Sequence, residues 1–140
     1  MTSLALLIAR IGLGIVFIAH GWQKLDDLGL DAVTGGFRKM GIPAPELAAY
    51  FSTFVELVGG AALLVGAFTA VAGLLLTADM LGALLFVHLK NGPFVIDNGY
   101  ELVVALGVGA LLLAVFGAGR FSVDGALGRK VGRAGGLSRI

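Results

Sequence analysis

Four apolar stretches, each long enough to cross a lipid bilayer, occupy most of this 140-residue chain. A helix rises about 1.5 Å per residue, so about 20 apolar residues span the roughly 30 Å hydrocarbon layer. The stretches predict transmembrane helices over Leu4–Lys24, Pro45–Val65, Phe68–Leu89 and Gly99–Phe116. The connections between them are short, which favours antiparallel neighbours. We therefore predict an all-α fold, a transmembrane four-helix bundle with up-down-up-down topology.

The composition excludes several other classes of protein. Charged residues make up 14% of the chain, whereas a soluble domain carries about 25%. The net charge of +1 and the lack of a long basic face give no indication of a nucleic-acid partner. Cysteine is absent, which excludes thiol nucleophiles, Cys-ligated zinc and iron–sulfur clusters within this chain.

The chain divides by composition into a predicted bundle, residues 1–119, and a basic Gly-rich tail, residues 120–140. In the first loop, Phe37–Met40 predicts a short interfacial segment whose basic side chains reach water while the apolar ones dip into lipid. Lys and Arg are slightly more frequent on the side of the termini. Because cytoplasmic loops are enriched in these residues, we predict a multi-pass cell-membrane protein with both termini in the cytoplasm.

Three ionisable residues fall deep inside the predicted spans: Arg10, Glu56 and Asp79. An ionisable side chain at the centre of a bilayer commonly costs about 2.5–3.5 kcal/mol, so it needs a partner or a purpose. Counting residues inward from the loop-bearing side predicts that all three meet, as an ion pair that locks three helices together. The alternative is a group that carries protons or anchors a ligand.

A second layer of polar side chains is predicted near the loop-bearing surface: His20, Lys24, His88 and Glu101. These four are candidate ligand-binding residues, since a quinone head group needs hydrogen-bond donors and a proton acceptor close to the interface. A haem held by His20 and His88 is a less favoured alternative. A metal ion held by the two histidines and Glu101 lacks any known ligand spacing, so we predict no metal site. Alternatively, these side chains have no ligand and simply hydrogen-bond with water and the loops at the membrane interface.

Several segments in fixed order resemble the DoxX family of small membrane proteins. The resemblance runs from about Leu4 to Leu127 and rests on the segments 10–25 (RIGLGIVFIAHGWQKL), 40–45 (MGIPAP), 56–60 (ELVGG), 66–69 (GAFT), 91–94 (NGPF) after His88, 98–102 (NGYEL) and 119–124 (GRFSVD). Residues that match recurring family positions are Arg10, His20, Gly21, Lys24, Glu56, His88, Tyr100 and Glu101. The chain departs from the common pattern at Asp97-Asn98-Gly99, which adds a carboxylate.

The resemblance implies a four-helix membrane bundle tied to redox chemistry, because the family takes its name from a terminal quinol oxidase and its members are linked to thiosulfate oxidation and oxidative-stress complexes. We therefore predict a quinone-interacting subunit of a membrane redox complex. Two alternatives stay open: a non-catalytic scaffold that recruits soluble redox proteins, and a small proton-coupled transporter built around Glu56 and Asp79. The sequence leaves open whether the chain is an enzyme, which ligand it takes and whether it forms a homo-oligomer.

Overall fold

A computed structural model describes residues 1–136 of the chain. This part is helical, without a β-strand, so the predicted all-α class is confirmed. The α-helices are α1 Thr2–Trp22, α2 Leu30–Lys39, α3 Pro45–Phe54, α4 Gly60–Val65, α5 Thr69–Ala83, α6 Glu101–Phe116 and α7 Val123–Gly136. The predicted tail residue Arg139 lies outside the described residues.

Three continuous apolar helices are long enough to cross a membrane. The first, Thr2–Leu28, extends α1 by a π-helical turn, the second, Pro45–Val65, joins α3 to α4 through another, and the third, Thr69–Asn91, extends α5. The fourth, Glu101–Phe116, has 16 residues, which corresponds to about 24 Å. The chain is therefore a multi-pass membrane protein, although its last span is shorter than the others.

The four spans form a closed ring of antiparallel neighbours. The first packs against the second and the fourth, and the third also packs against both of these. Glycines allow the closest approaches, because a Cβ on Gly14 would lie 2.8 Å from Gly60 O, and one on Gly73 would lie 2.7 Å from Ala110 O. Close backbone packing of this kind stabilises helix pairs in lipid. The buried core between the spans includes Phe17, Leu63, Leu76, Ala110 and Leu113.

The interfacial segment of the first loop is longer than predicted. It is the helix α2, Leu30–Lys39, and it packs against α3. The C-terminal end of α2 faces the interior of the protein, where Phe37 and Met40 line a cavity beneath the loops. Gly29 and Gly41 flank the helix with φ values of +83° and +75°. These left-handed conformations favour glycine and let the chain reverse direction on both sides of α2.

At the opposite end of the bundle, the hairpin between α4 and α5 is held from both sides. Arg10 is almost fully buried and donates to Phe121 O at 2.6 Å and to Leu63 O at 3.4 Å. Asp124, in the first turn of α7, accepts the backbone N–H groups of Phe68 and Thr69, both at 2.9 Å. The N-terminal N–H groups of a helix have no partner within the helix, so Asp124 caps α5 from α7.

Candidate functional site

A cavity of about 500 Å³ opens at the end of the bundle that carries the first and third loops. Most of its wall is apolar, and it extends from loop residues such as Pro43 down to Leu106 within the fourth span. Polar side chains are contributed by the first three spans and by the third loop. They are His20, Lys24, Ser52, Glu56, Asp79, His88 and Asn98. Small-molecule sites commonly combine apolar walls with a few converging polar groups in this way.

An ion pair between the first and second spans forms part of this wall. Lys24 Nζ donates a hydrogen bond to Glu56 Oε2, and the Glu56 side chain is 4% exposed. The two residues meet because α1 and α3 approach closely at Gly21, where a Cβ would lie 3.0 Å from Thr53 O. A buried charge needs a partner of opposite sign to be tolerated in an apolar surrounding. Lys24 provides it for Glu56.

Asp79 brings a second buried carboxylate to the same cavity from α5. Its Oδ2 accepts a hydrogen bond from Ser52 Oγ at 3.3 Å, and it lines the same cavity as Glu56. One lysine and two carboxylates leave a formal charge of −1 in this part of the wall when all three are ionised. A single proton therefore neutralises the wall, so the arrangement can gain or lose a proton beside a bound ligand.

The two histidines of the cavity are oriented by backbone carbonyl groups. His20 Nδ1 lies 2.9 Å from Val16 O, and His88 Nδ1 lies 2.8 Å from Asn98 O. A carbonyl oxygen can only accept, so each Nδ1 carries the proton. In the neutral ring Nε2 is then left as an acceptor, and in the protonated ring it is a donor. Both rings can thus serve either a hydroxyl or a carbonyl group of a ligand.

Three of the polar residues stand in π-helical turns. Lys24 lies in Gln23–Leu28, Glu56 in Val55–Gly59 and His88 in Leu84–His88. A π-helical turn contains one residue more than an α-helical turn, so it changes which side chains face the bundle interior, and such turns are frequent at functional sites. Each of the three long spans therefore has a π-helical turn at one of its polar residues, while His20, Ser52 and Asp79 lie in α-helical segments.

The predicted meeting of Arg10 with Glu56 and Asp79 is wrong. Glu56 is level with the His20 end of α1, whereas Arg10 is ten residues away, which is about 15 Å along the helix. The prediction assumed that Lys24 and Pro45 lie at equal depth, but α3 extends further toward the loops. Arg10 instead donates a hydrogen bond to Leu63 O near the C-terminal end of α4, where the helix dipole attracts a cation. All three residues are buried, as predicted.

Glu101 does not line the cavity, in contrast to the prediction for it. It is exposed at the start of α6, and its Oε1 accepts the backbone N–H of Val95 at 2.9 Å. Glu101 thus organises the third loop, because a carboxylate in the first turn of a helix can bind nearby N–H groups. Within the part of the chain that the structure describes, no cluster of three His, Asp or Glu side chains is close enough to hold a metal ion.

Residues of the predicted deep layer and of the predicted shallow layer lie together in one site. Glu56 and Asp79 share the cavity with His20, Lys24 and His88. The aromatic side chains that complete the wall, Phe17, Phe51 and Phe86, were not predicted as site residues. Their signal was weak, because Phe facing lipid and Phe facing a cavity look alike in an apolar span.

Comparisons with known proteins agree with this architecture. Residues 5–89 match the model of the DoxX family. The uncharacterized membrane protein Rv3486 of Mycobacterium tuberculosis is 32% identical, with 86% of this chain and 80% of the relative covered. The inner membrane protein YphA of Escherichia coli is also 32% identical, with coverage of 85% and 87%. The putative oxidoreductase CatD of Bacillus subtilis is 30% identical, with 71% of each chain covered.

No solved structure matches the chain significantly. The family match covers the first three spans, which supply Lys24, Glu56, Asp79 and both histidines of the cavity. The match therefore includes most of the polar wall, and the relatives named above are similar over most of their own length. Together these findings show that the chain belongs to the DoxX family.

Proposed function

We propose that the cavity binds the head group of a lipid-soluble quinone or quinol, as part of a membrane redox complex. The observation that carries the proposal is the composition of the wall: hydrogen-bond donors and proton acceptors from three spans line the same cavity, and apolar and aromatic side chains make up the rest of the lining. A quinone ring has the matching pattern, with two polar oxygen atoms on a flat apolar body.

The polar groups fit both redox forms of such a ring. Lys24 Nζ can donate to a quinone carbonyl, and Nε2 of a neutral histidine can accept from a quinol hydroxyl. Conversion of a quinone into a quinol consumes two electrons and two protons. Glu56 and Asp79 would supply protons to the quinone as carboxylic acids, and would receive protons from the quinol as carboxylates.

The electrons must be exchanged with a partner protein that carries a redox centre. The chain has no cysteine, so it cannot offer a dithiol of its own as electron carrier. A similar protein, CatD, carries the description putative oxidoreductase, which agrees with a redox role without naming a substrate. We propose a soluble redox protein as the partner.

Blocking the cavity tests the proposal without disturbing its polar groups. Gly82 lines the cavity, and a Cβ placed on it would meet no atom within 4 Å, so Gly82→Leu should fill the space without a backbone clash. Gly12 on α1 also has free space around it and is exposed, which makes Gly12→Leu the matched control. The measurement is the dissociation constant of a short-chain benzoquinone in lipid nanodiscs.

We expect wild type and Gly12→Leu to bind the quinone equally, and Gly82→Leu to bind at least tenfold more weakly. Equal binding by both variants would place the quinone outside this cavity and overturn the proposal. If the wild-type protein binds no quinone while it still assembles with redox partners, a scaffold function is the better account.

We also propose that both termini face the cytoplasm, which puts the cavity on the opposite side of the membrane. Because the chain has no cysteine, single substitutions can be labelled without background. Cells expressing Lys90→Cys should react with a membrane-impermeant maleimide, and cells expressing Arg120→Cys should react only after lysis. The reverse pattern would invert the orientation.

A further inference from the structure

A second, smaller cavity of about 280 Å³ lies beneath the interfacial helix α2. It is bounded by α2 on one side and by the end of the first span on the other, and its wall is almost entirely apolar. The lining residues are His20, Gln23, Lys24, Leu28, Ala32, Val33, Gly36, Phe37 and Met40. We call this space the α2 groove.

The α2 groove lies next to the main cavity, and the two spaces share part of their lining. His20, Lys24, Phe37 and Met40 line both spaces. The polar pair His20 and Lys24 therefore stands at the junction, with the larger space on one side and the groove on the other. A ligand whose polar group is held at this junction has an apolar path leading away from it under α2.

We propose that the α2 groove is a subsite for the first part of the hydrocarbon tail of the ring-bearing ligand. This inference rests on the proposed function, and it adds the place where the prenyl or alkyl tail of the lipid-soluble ring is bound. The groove presents Leu28, Ala32 and Val33 to its occupant, and burial of an alkyl chain against such side chains is favourable.

The position of the groove suits a tail better than a second head group. His20 and Lys24 are already used by the head group, and Gln23 is the remaining polar residue among those that line the groove. Its roof, α2, is an interfacial helix, so a chain leaving the groove enters the lipid layer directly.

Two neighbouring glycines of α2 provide a variant and its control. Gly36 lines the groove and Gly35 does not, yet a Cβ on either residue would meet no atom within 4 Å. Gly36→Leu should therefore place a side chain in the groove, while Gly35→Leu makes the same change outside it. Ala32→Phe is a second groove variant, in case Gly36→Leu lowers the amount of folded protein.

The experiment measures dissociation constants for two probes in lipid nanodiscs: a benzoquinone without a tail, and the same ring with a geranyl tail. The tailed probe also partitions into lipid, but that partition is the same for every variant. The ratio of the variant constant to the wild-type constant therefore reports only on the protein. Thermal unfolding of each variant is recorded as a check of folding.

We expect Gly36→Leu and Ala32→Phe to weaken binding of the tailed probe about tenfold and to leave the tailless probe unchanged. Gly35→Leu should change neither. If the groove variants leave both probes unchanged, or weaken both equally, the tail subsite is overturned while the quinone site stands. If neither probe binds the wild-type protein, the proposed function itself fails, and the tail subsite fails with it.

Discussion

Lys24 and Glu56 form an ion pair between the first and second spans, at a wall of the cavity where the Glu56 side chain is almost fully buried. The ion pair has two roles. It holds the first and second spans together, and it places charged groups at the wall of the cavity. Its two members also differ in exposure, since the Lys24 side chain is 19% exposed and that of Glu56 is 4% exposed. Removing the lysine should therefore have the larger structural consequence, since the carboxylate it leaves behind is the more buried group.

We expect Lys24→Met to lower the free energy of unfolding by about 3 kcal/mol, since removing one partner leaves an uncompensated buried charge. The double variant Lys24→Met/Glu56→Leu should recover most of this loss, because it also removes the Glu56 carboxylate that the lysine had neutralised. The free energies of unfolding of Lys24→Met, Glu56→Leu and the double variant are measured in mixed micelles by circular dichroism. A double variant as unstable as the sum of the two single variants would show that the residues do not act as a pair.

Close packing of α1 against α4 gives a second prediction. Gly14 cannot accept a Cβ without approaching Gly60 O, so Gly14→Ala should destabilise the bundle by about 1–3 kcal/mol, as overpacking generally does. Gly12, two residues earlier in α1, has free space around it. Gly12→Ala should be neutral or slightly stabilising, because alanine favours a helix over glycine by about 1 kcal/mol. Equal effects of the two variants in thermal unfolding would contradict this packing.

Arg10 supports the hairpin at the other end of the bundle, which gives a third prediction. Its guanidinium reaches Leu63 O and Phe121 O at once, a geometry that a single ammonium group cannot reproduce. We expect Arg10→Lys to cost about 2 kcal/mol, the usual range for a lost hydrogen bond from a charged group. Limited proteolysis should then cut near Gly66 and Phe121 sooner than in the wild type. Unchanged proteolysis would contradict the role assigned to Arg10.

Much of the fold follows from the sequence because a bilayer leaves few choices. Lipid offers no hydrogen bonds, so each long apolar stretch must be a helix, and the short connection at Gly66 forces its neighbours to be antiparallel. The predicted ends of the second span, Pro45 and Val65, are confirmed without change.

The site was less predictable because it depends on how far one helix is shifted along another. Hydropathy gives the length of a span but not its offset. Taking Lys24 and Pro45 at equal depth places Glu56 about 17 Å below Lys24, whereas the two side chains form an ion pair. The π-helical turns at Lys24, Glu56 and His88 change the direction of each side chain further. Nothing in a sequence of apolar residues marks where such a turn occurs, since its cause is packing between helices.

Asp124 lies outside the membrane spans, and its neighbours change the pKa of its carboxyl group. This gives a prediction about the pH dependence of stability. Burial raises the pKa of Asp124, but hydrogen bonds from Thr69 and Phe68 and the nearby Arg10 guanidinium outweigh it and leave the pKa below its usual value. The folded state thus favours the ionised carboxylate. The resulting stability is fully present above pH ~4, the ordinary range for an aspartate, and is lost as the pH falls through the lower folded-state pKa.

We therefore expect the melting temperature of the wild type to fall more steeply below pH ~4 than that of Asp124→Asn. At neutral pH the variant should be the less stable of the two, since an amide accepts the N–H groups at the start of α5 more weakly than a carboxylate does. The difference between the two melting curves should shrink toward acidic pH, because both proteins then carry a neutral group at position 124. A difference that stays constant from pH 7 to pH 3 would show that the charge of Asp124 does not stabilise the hairpin.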